Sequence, residues 1–231
     1  MTSLKPNSGK NLEIRIKEGT YLRYPVKTHI VSSEDEIIEV LKKYAQEHLE
    51  KNDMLVISER FIAVIQGRSF LIEDIKPTFW ANFLSKFVSR HPGGIGLKSP
   101  WTMQLAIQEA GLPRIFFAGL VSAITRPFGL KGLFYHLVGN DINAIDGPCD
   151  YTLPPGNKSA KLGPKDPTGV AKKISKELNV KVAIVDANDY GVRVMGVSEG
   201  VDKKLVQEVF KDNPLGQSNE QTPMAIVRVK S

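Results

Sequence analysis

Apolar and polar residues alternate at 12–16, LEIRI, a period of two that predicts a strand. Helical spacing follows: Ile37, Ile38, Leu41 and Ala45 recur every three or four positions up to about residue 49. Ser33 is the expected N-cap of that helix and Glu36 its capping-box partner. Asn52 and Asp53 predict a turn before MLVIS, residues 54–58, a contiguous apolar run expected as a buried strand. FIAVIQGRSFLI, residues 61–72, predicts a second strand or a hairpin through Gly67. Residues 78–89 predict an amphipathic helix with Trp80, Phe83, Leu84 and Phe87 on one stripe, the pattern of a core face. Glycines and prolines make 90–100 a loop. A helix over 100–110 then turns Met103, Ala106, Ile107 and Ala110 inward and ends at Gly111.

Residues 116–125 are apolar with small side chains, and their period fits a buried helix and a buried strand equally. The wider stretch 112–130 is broken by Pro113, Arg114, Arg126 and Pro127, so it predicts a buried core segment and not a membrane span. Residues 139–169 are polar and glycine-rich. A helix at 168–178, a strand at 180–185 ending in Asp186, a strand at 193–197, a helix at 202–210 and a closing strand at 224–229 complete the pattern. No internal repeat is visible, and strands and helices do not alternate regularly. The expectation is an α+β fold of mixed sheets with packed helices.

The chain has 231 residues, enough for one large domain or two small intertwined ones. We expect a folded domain over 12–231 behind a polar, flexible stretch at 1–11. With 42% apolar and 24% charged residues, the composition is that of a globular protein. The net charge of +6 suits solubility or an anionic ligand such as a phosphate chain. Basic runs interleaved with aromatics are missing, so nucleic acid is not expected as a partner. Cys149 is the only cysteine, which excludes an intrachain disulfide and a cysteine-rich metal site. No N-terminal signal pattern is present, and a cytoplasmic protein without a membrane partner is expected.

Two acidic stretches carry candidate chemistry. In NDINAIDGP, Asp141 and Asp146 lie among residues too rich in Gly and Asn for a helix. Loop carboxylates of this kind suit hard cations, and they equally suit turns closed on their own backbone. In VKVAIVDANDYG, a buried strand delivers Asp186 to its C-terminal end, with Asn188 and Asp189 next. Ligands tend to gather beyond strand C-termini in sheets with α/β units. Phosphate-loop, kinase and dinucleotide-binding motifs are absent. His91 and His136 stand alone, and Cys149 has no histidine near it in sequence.

The order of these motifs resembles the coenzyme F(420)-0:L-glutamate ligase family, also called gamma-glutamyl ligases. The resemblance runs from about Glu13 to Val229. It rests on NDMLVISERFIAVIQGR, with Arg60, Gln66, Gly67 and Arg68 at the matching places, and on His136 followed ten positions on by Asp146. LGPKDPTGVAKKI, IVDANDYG and LGQSNEQTPMAIVRV continue it. Each string is weak alone; their common order carries the resemblance.

The resemblance implies a homodimer that uses GTP (or ATP) and Mg²⁺ or Mn²⁺ to join L-glutamate or a similar amino acid to a small acidic substrate through an acyl phosphate. It implies Asp146 and Asp186 as metal ligands meeting in one cleft, with Glu220 and Gln217 near the same metals. Arg60 and Arg68 would face phosphates, and His136 would orient a phosphate or a metal ligand. The chain departs from the family pattern at several of these places. Gln66 replaces a glutamate, and Arg60 replaces a lysine. The Asp186–Gly191 spacing is altered, which makes Asp189 an alternative metal ligand. Two other readings therefore stand beside the ligase: a member that binds nucleotide or metal without ligating, and a basic protein that binds RNA.

Overall fold

The computed structural model describes residues 4–88, 95–130, 132–139, 142–150, 152–188 and 191–230. Asp141, Asp189 and His91 lie outside the described residues. The chain forms two compact units: residues 1–67 with 164–231, and residues 68–163 between them in sequence.

The first unit is built on strands β1 (Glu13–Ile16), β2 (Gly19–Val26), β3 (Met54–Ser58), β6 (Lys181–Asn188), β7 (Gly191–Val197) and β8 (Met224–Val229). They form one mixed sheet in the order β1-β2-β8-β3-β6-β7, in which only β3 and β6 run parallel. Its helices are α1 (Ile37–Tyr44), α2 (Glu59–Ile65), α7 (Pro167–Leu178) and α8 (Lys203–Phe210). Leu55, Ile57, Val182, Ile184, Met224 and Ile226 pack on one face with Leu41, Phe61 and Ile174. Their alternate neighbours Val56, Ala183, Val185, Ala225 and Val227 pack on the other with Val206, Val209 and Phe210. Strands covered on both faces read as unbroken apolar runs, which is why β3, β6 and β8 lie where the sequence predicts them.

Three local expectations in this unit are overturned. The capping box at Ser33 and Glu36 does not form: Glu36 is extended at φ −104°, ψ 125°, makes no side-chain cap, and the helix starts at Ile37. Asp35 instead accepts hydrogen bonds from the Ser32 N–H (2.8 Å) and from His29 Nε2 (2.8 Å). The Ser32 N–H and His29 together hold its carboxyl below the usual range. A local side-chain turn thus outcompetes the cap. α1 also stops at Tyr44, with only a 3-10 turn at Gln46–His48 beyond it. The second strand or hairpin expected at 61–72 begins instead as helix α2, which runs to Ile65 with Phe61, Ile62 and Ala63 buried. In a contiguous apolar run a helical period is invisible. Only the short β4 (Ser69–Leu71) follows, and it belongs to the second unit.

The closing strand β8 pairs with both β2 and β3. Arg23 of β2 is fully buried beneath it and bonds to Val209 O, Asn11 O and the Asp212 carboxylate. Asn7 and Lys10, in the stretch expected to be flexible, donate to the same 212–222 segment. Gly196 in β7 lies against the start of α7; a Cβ there would sit 2.3 Å from the Pro167 carbonyl carbon. Asp166 caps α7 by accepting the Gly169 N–H at 3.0 Å.

The second unit holds β4 paired antiparallel with β5 (Ser159–Lys161), and helices α3 (Phe79–Leu84), α4 (Pro100–Ala110), α5 (Leu112–Thr125) and α6 (Leu133–Val138). Its core includes Leu97, Met103, Leu105, Ala106, Ile115 and Ile142. Ser99 caps α4 through the Thr102 N–H, and Gly111 ends it at φ 84°. Thr78 caps α3, and its own N–H donates to Gln104 Oε1. The aromatic stripe of α3 is not a core face: Trp80 and Phe83 are each 41% exposed and Phe87 is 70% exposed. Small residues, Ala81 and Ser85, take the buried side. Nor is 112–130 a buried core segment. It is helix α5, continued by a 3-10 turn at Arg126–Phe128, and only Ile115 and Ala118 of the helix are buried.

The Arg23–Asp212 pair makes stability depend on pH. Burial opposes the charged carboxylate of Asp212, but the hydrogen bond and charge of Arg23 outweigh it and hold its pKa below the ordinary 3.8. A depressed carboxylate stabilises the fold fully above its unfolded value and loses that contribution as pH falls through the folded value. Asp212→Asn is therefore expected to cost about 1–3 kcal/mol at neutral pH. The lower end applies, because the Asp212 side chain is 39% exposed. In urea denaturation the gap to the parent protein should close below about pH 3.8. Gly196→Ala should cost about 1–3 kcal/mol in the same assay, since backbone at the start of α7 has to move.

Candidate functional site

Strand direction gathers several sequence-predicted residues of the first unit at one edge of its sheet. β3 and β6 run parallel with Ser58, the last residue of β3, opposite Val185, and β6 continues beyond the end of β3. α2 starts at once after Ser58, placing Glu59 and Arg60 in its first turn. Asp186 follows Val185 and is half-buried. β8 runs the other way and begins at this same edge, with Ile57 opposite Met224 and the Ser58 N–H donating to Pro223 O at 2.8 Å. The segment holding Gln217 and Glu220 leads into β8, and its Gln221 O accepts the Thr28 N–H at 3.0 Å.

Asp186 is not beyond its strand, as expected, but within it. β6 continues to Asn188, and Asp186 faces Arg193 of β7 in register. The hairpin partner extends the hydrogen-bond ladder past the point where the apolar run stops, and periodicity does not report that. Glu220 holds its own loop: its carboxylate accepts from the Ser218 N–H at 2.8 Å and from Ser218 Oγ at 3.1 Å. Gln217 Nε2 is buried and has no hydrogen-bond partner among the described residues. A buried donor in that condition is costly unless something accepts from it.

Glu59 was not singled out from the sequence. It is a carboxylate only 5% exposed, at the junction of β3 and α2. Its signal was an acid placed directly after a buried apolar strand, ISER. Gln66, where the family pattern has a glutamate, grips the backbone of Lys165: its Oε1 accepts the Lys165 N–H at 2.7 Å and its Nε2 donates to Lys165 O at 3.0 Å. Only an amide does both, since a carboxylate has no proton to donate.

The second unit holds the other predicted residues. Asp146 pairs with Lys161 of β5 through two backbone hydrogen bonds, of 3.1 Å and 2.9 Å. Its carboxylate accepts the Gly147 N–H at 2.9 Å. Lys161 is 5% exposed and donates from Nζ to Ala144 O at 3.0 Å. It is a second residue that sequence reasoning missed, because nothing in KSAKLG marks the lysine as buried. Across β5 lies Arg68, whose carbonyl accepts the Leu162 N–H. The Arg68 guanidinium is engaged by Gly163 O at 2.6 Å and by Glu109 at 2.9 Å. Asp146, Lys161 and Arg68 are thus brought together around β5. His136 is exposed on α6. Its neighbour Tyr135 has its hydroxyl pKa raised by burial.

Among the described residues, no group of three or more His, Cys, Asp or Glu is placed to hold a metal ion. No single helix among them is long and apolar enough to cross a membrane.

No curated protein matches the chain. The family model described as F(420)-0:gamma-glutamyl ligase matches residues 25–203. This span takes in Arg60, Arg68, His136, Asp146 and Asp186, and stops before Gln217 and Glu220. It is narrower than the resemblance from Glu13 to Val229 read in the sequence. It covers well over half of the chain, which therefore belongs to the F(420)-0:gamma-glutamyl ligase family and carries a ligase-family domain.

Proposed function

We infer that this protein is an amide ligase that binds a nucleoside triphosphate, GTP or ATP, with Mg²⁺ or Mn²⁺, and joins L-glutamate or a similar amino acid to a small acidic substrate. The observation that supports this reading is the sheet edge of the first unit, where Arg60 follows the end of β3, Asp186 lies in the part of β6 that extends past it, and the segment holding Gln217 and Glu220 leads into β8. Ligands favour such strand ends.

The donor set suits the implied cation. Asp186 and Glu220 offer only oxygen, and Mg²⁺ usually takes one or two protein carboxylates while its other positions go to water and phosphate oxygens. A cluster of three protein ligands is not required. When bound, the cation neutralises charge on the phosphate oxygens. Arg60 presents a guanidinium fork suited to phosphate, and the unpartnered Gln217 amide supplies a neutral donor for another oxygen. Asp189 is the proposed alternative to Asp186.

In the proposed reaction, a substrate carboxylate oxygen attacks the terminal phosphorus and releases the nucleoside diphosphate. The amine of the amino acid then attacks the acyl carbon, phosphate leaves, and the nitrogen loses a proton. The chain's residues bind and orient the two substrates for these displacements.

A second reading is a member that binds nucleotide without ligating, and Gln66 favours it. Both ends of its amide are occupied by Lys165, so a charge of the family pattern is replaced by a structural clamp. Phosphate release that depends on an added amino acid decides between the two. Calorimetry is expected to show binding of GTP or ATP that requires Mn²⁺ or Mg²⁺. Asp186→Asn should weaken that binding at least about tenfold while leaving far-UV circular dichroism unchanged, because a metal-bridged contact is worth more than one ordinary hydrogen bond. Normal GTP–Mn²⁺ affinity in that variant removes Asp186 from the site.

A further inference from the structure

Helix α5 is apolar on the side that faces water. Ile115 and Ala118 point into the core of the second unit, 2% and 0% exposed. On the opposite side Phe117, Leu120, Ile124 and Phe128 follow at successive turns and are 60%, 63%, 59% and 80% exposed. A helix that is apolar all round is normally enclosed. The α3 aromatics extend the same surface: the Trp80 ring meets Phe116 of α5 edge-on, with ring centroids 5.0 Å apart. Phe79 and Phe87 beyond it are 71% and 70% exposed. Scattered exposed apolar residues are ordinary, whereas a continuous set on two touching helices marks an interaction surface.

The charge around this surface selects the occupant. Residues 75–139 contain seven Lys or Arg and a single acid, Glu109. That acid is already paired with Arg68 at 2.9 Å. Lys86 lies between Phe83 and Phe87, and Arg114 lies one turn before Phe117; both are exposed. A second copy of the chain would bring one such basic set against another, and like charges directly opposed are unfavourable. An anionic lipid surface offers both missing complements: acyl chains for the phenylalanines and leucine, and phosphate headgroups for the lysine and arginine.

The attachment is to the surface and not across the bilayer. Among the described residues, the one helix pair that passes for a span by length and composition, α4 with α5 and its 3-10 extension, is bent by 111°. The α4 half of that pair buries Met103, Leu105 and Ala106 in the protein core. The broken hydropathy of 112–130 argued against a span, and it places no limit on a helix lying in the headgroup layer.

We propose that the exposed face of α3 and α5, with the 3-10 turn at Arg126–Phe128, docks on an anionic membrane surface by inserting its aromatic and aliphatic side chains while the exposed Lys86 and Arg114 meet the headgroups. The test is flotation of the full chain with vesicles of phosphatidylcholine alone and of phosphatidylcholine mixed with phosphatidylglycerol, at low and high salt. Binding to the mixed vesicles should exceed binding to the neutral ones by about tenfold or more and should fall as salt screens the basic residues. A variant with Phe117→Ser, Leu120→Ser and Phe128→Ser should lose at least about tenfold of that binding. Its thermal unfolding should match the parent, since all three positions are exposed. Lys86→Gln with Arg114→Gln should reduce binding to the mixed vesicles and leave the weak neutral binding unchanged. Failure of the parent protein to float with either vesicle overturns the proposal. So does undiminished binding by the triple serine variant, and so does a lipid-free dimer in the parent that those serines dissolve.

Discussion

Three adjacent strands, β8, β3 and β6, are covered on both faces, and that double burial is the constraint on which the first unit depends. Strands of this kind have no side free to carry polar chemistry. Every side chain along Leu55–Ile57, Val182–Val185 and Ala225–Val227 is committed to packing. Chemistry is left to the strand ends, where the backbone leaves the sheet and polar residues reach solvent. The parallel register of β3 with β6, and the reversed direction of β8, then decide which ends coincide.

This constraint explains why Arg60 and Asp186, far apart in sequence, lie near one sheet edge. It also explains the uneven division of labour among the polar residues. Arg23–Asp212 and Arg228–Asp53 hold the sheet to neighbouring segments as paired charges, and Arg228 has its pKa raised first by its hydrogen bonds to Asp53. Gln66 and Asp166 hold the backbone around the start of α7. The buried, unpartnered donor of Gln217 and the acids Asp186 and Glu220 are the groups on which the proposed phosphate and cation binding rests.

The second unit follows different physics. Its helices are short, its two-stranded sheet is small, and its largest helix turns apolar side chains outward. Small residues on the buried side of α3 relegate the aromatics to the surface, and Ile115 and Ala118 suffice to seat α5. The result is an exposed apolar face with a basic margin, a combination that a core-forming segment has no reason to carry.

The sequence by itself determined the fold class, the central strands and the helices with clear caps or periods, because unbroken apolar runs and three-to-four spacing report burial directly. It also identified the family, through motifs kept in one order. It did not determine α2, whose apolar residues are contiguous and so show no period, nor the start of α1, where Asp35 formed a turn that a capping pattern does not reveal. Tertiary structure alone decided the direction in which a stripe faces: the aromatics of α3 and the apolar side of α5 have the spacing of core and the exposure of surface. It alone buried Glu59 and Lys161, and it alone set Asp186 within the β6–β7 ladder. Those outcomes depend on which element packs against which, and a periodicity along one chain records the spacing of a face without recording its partner.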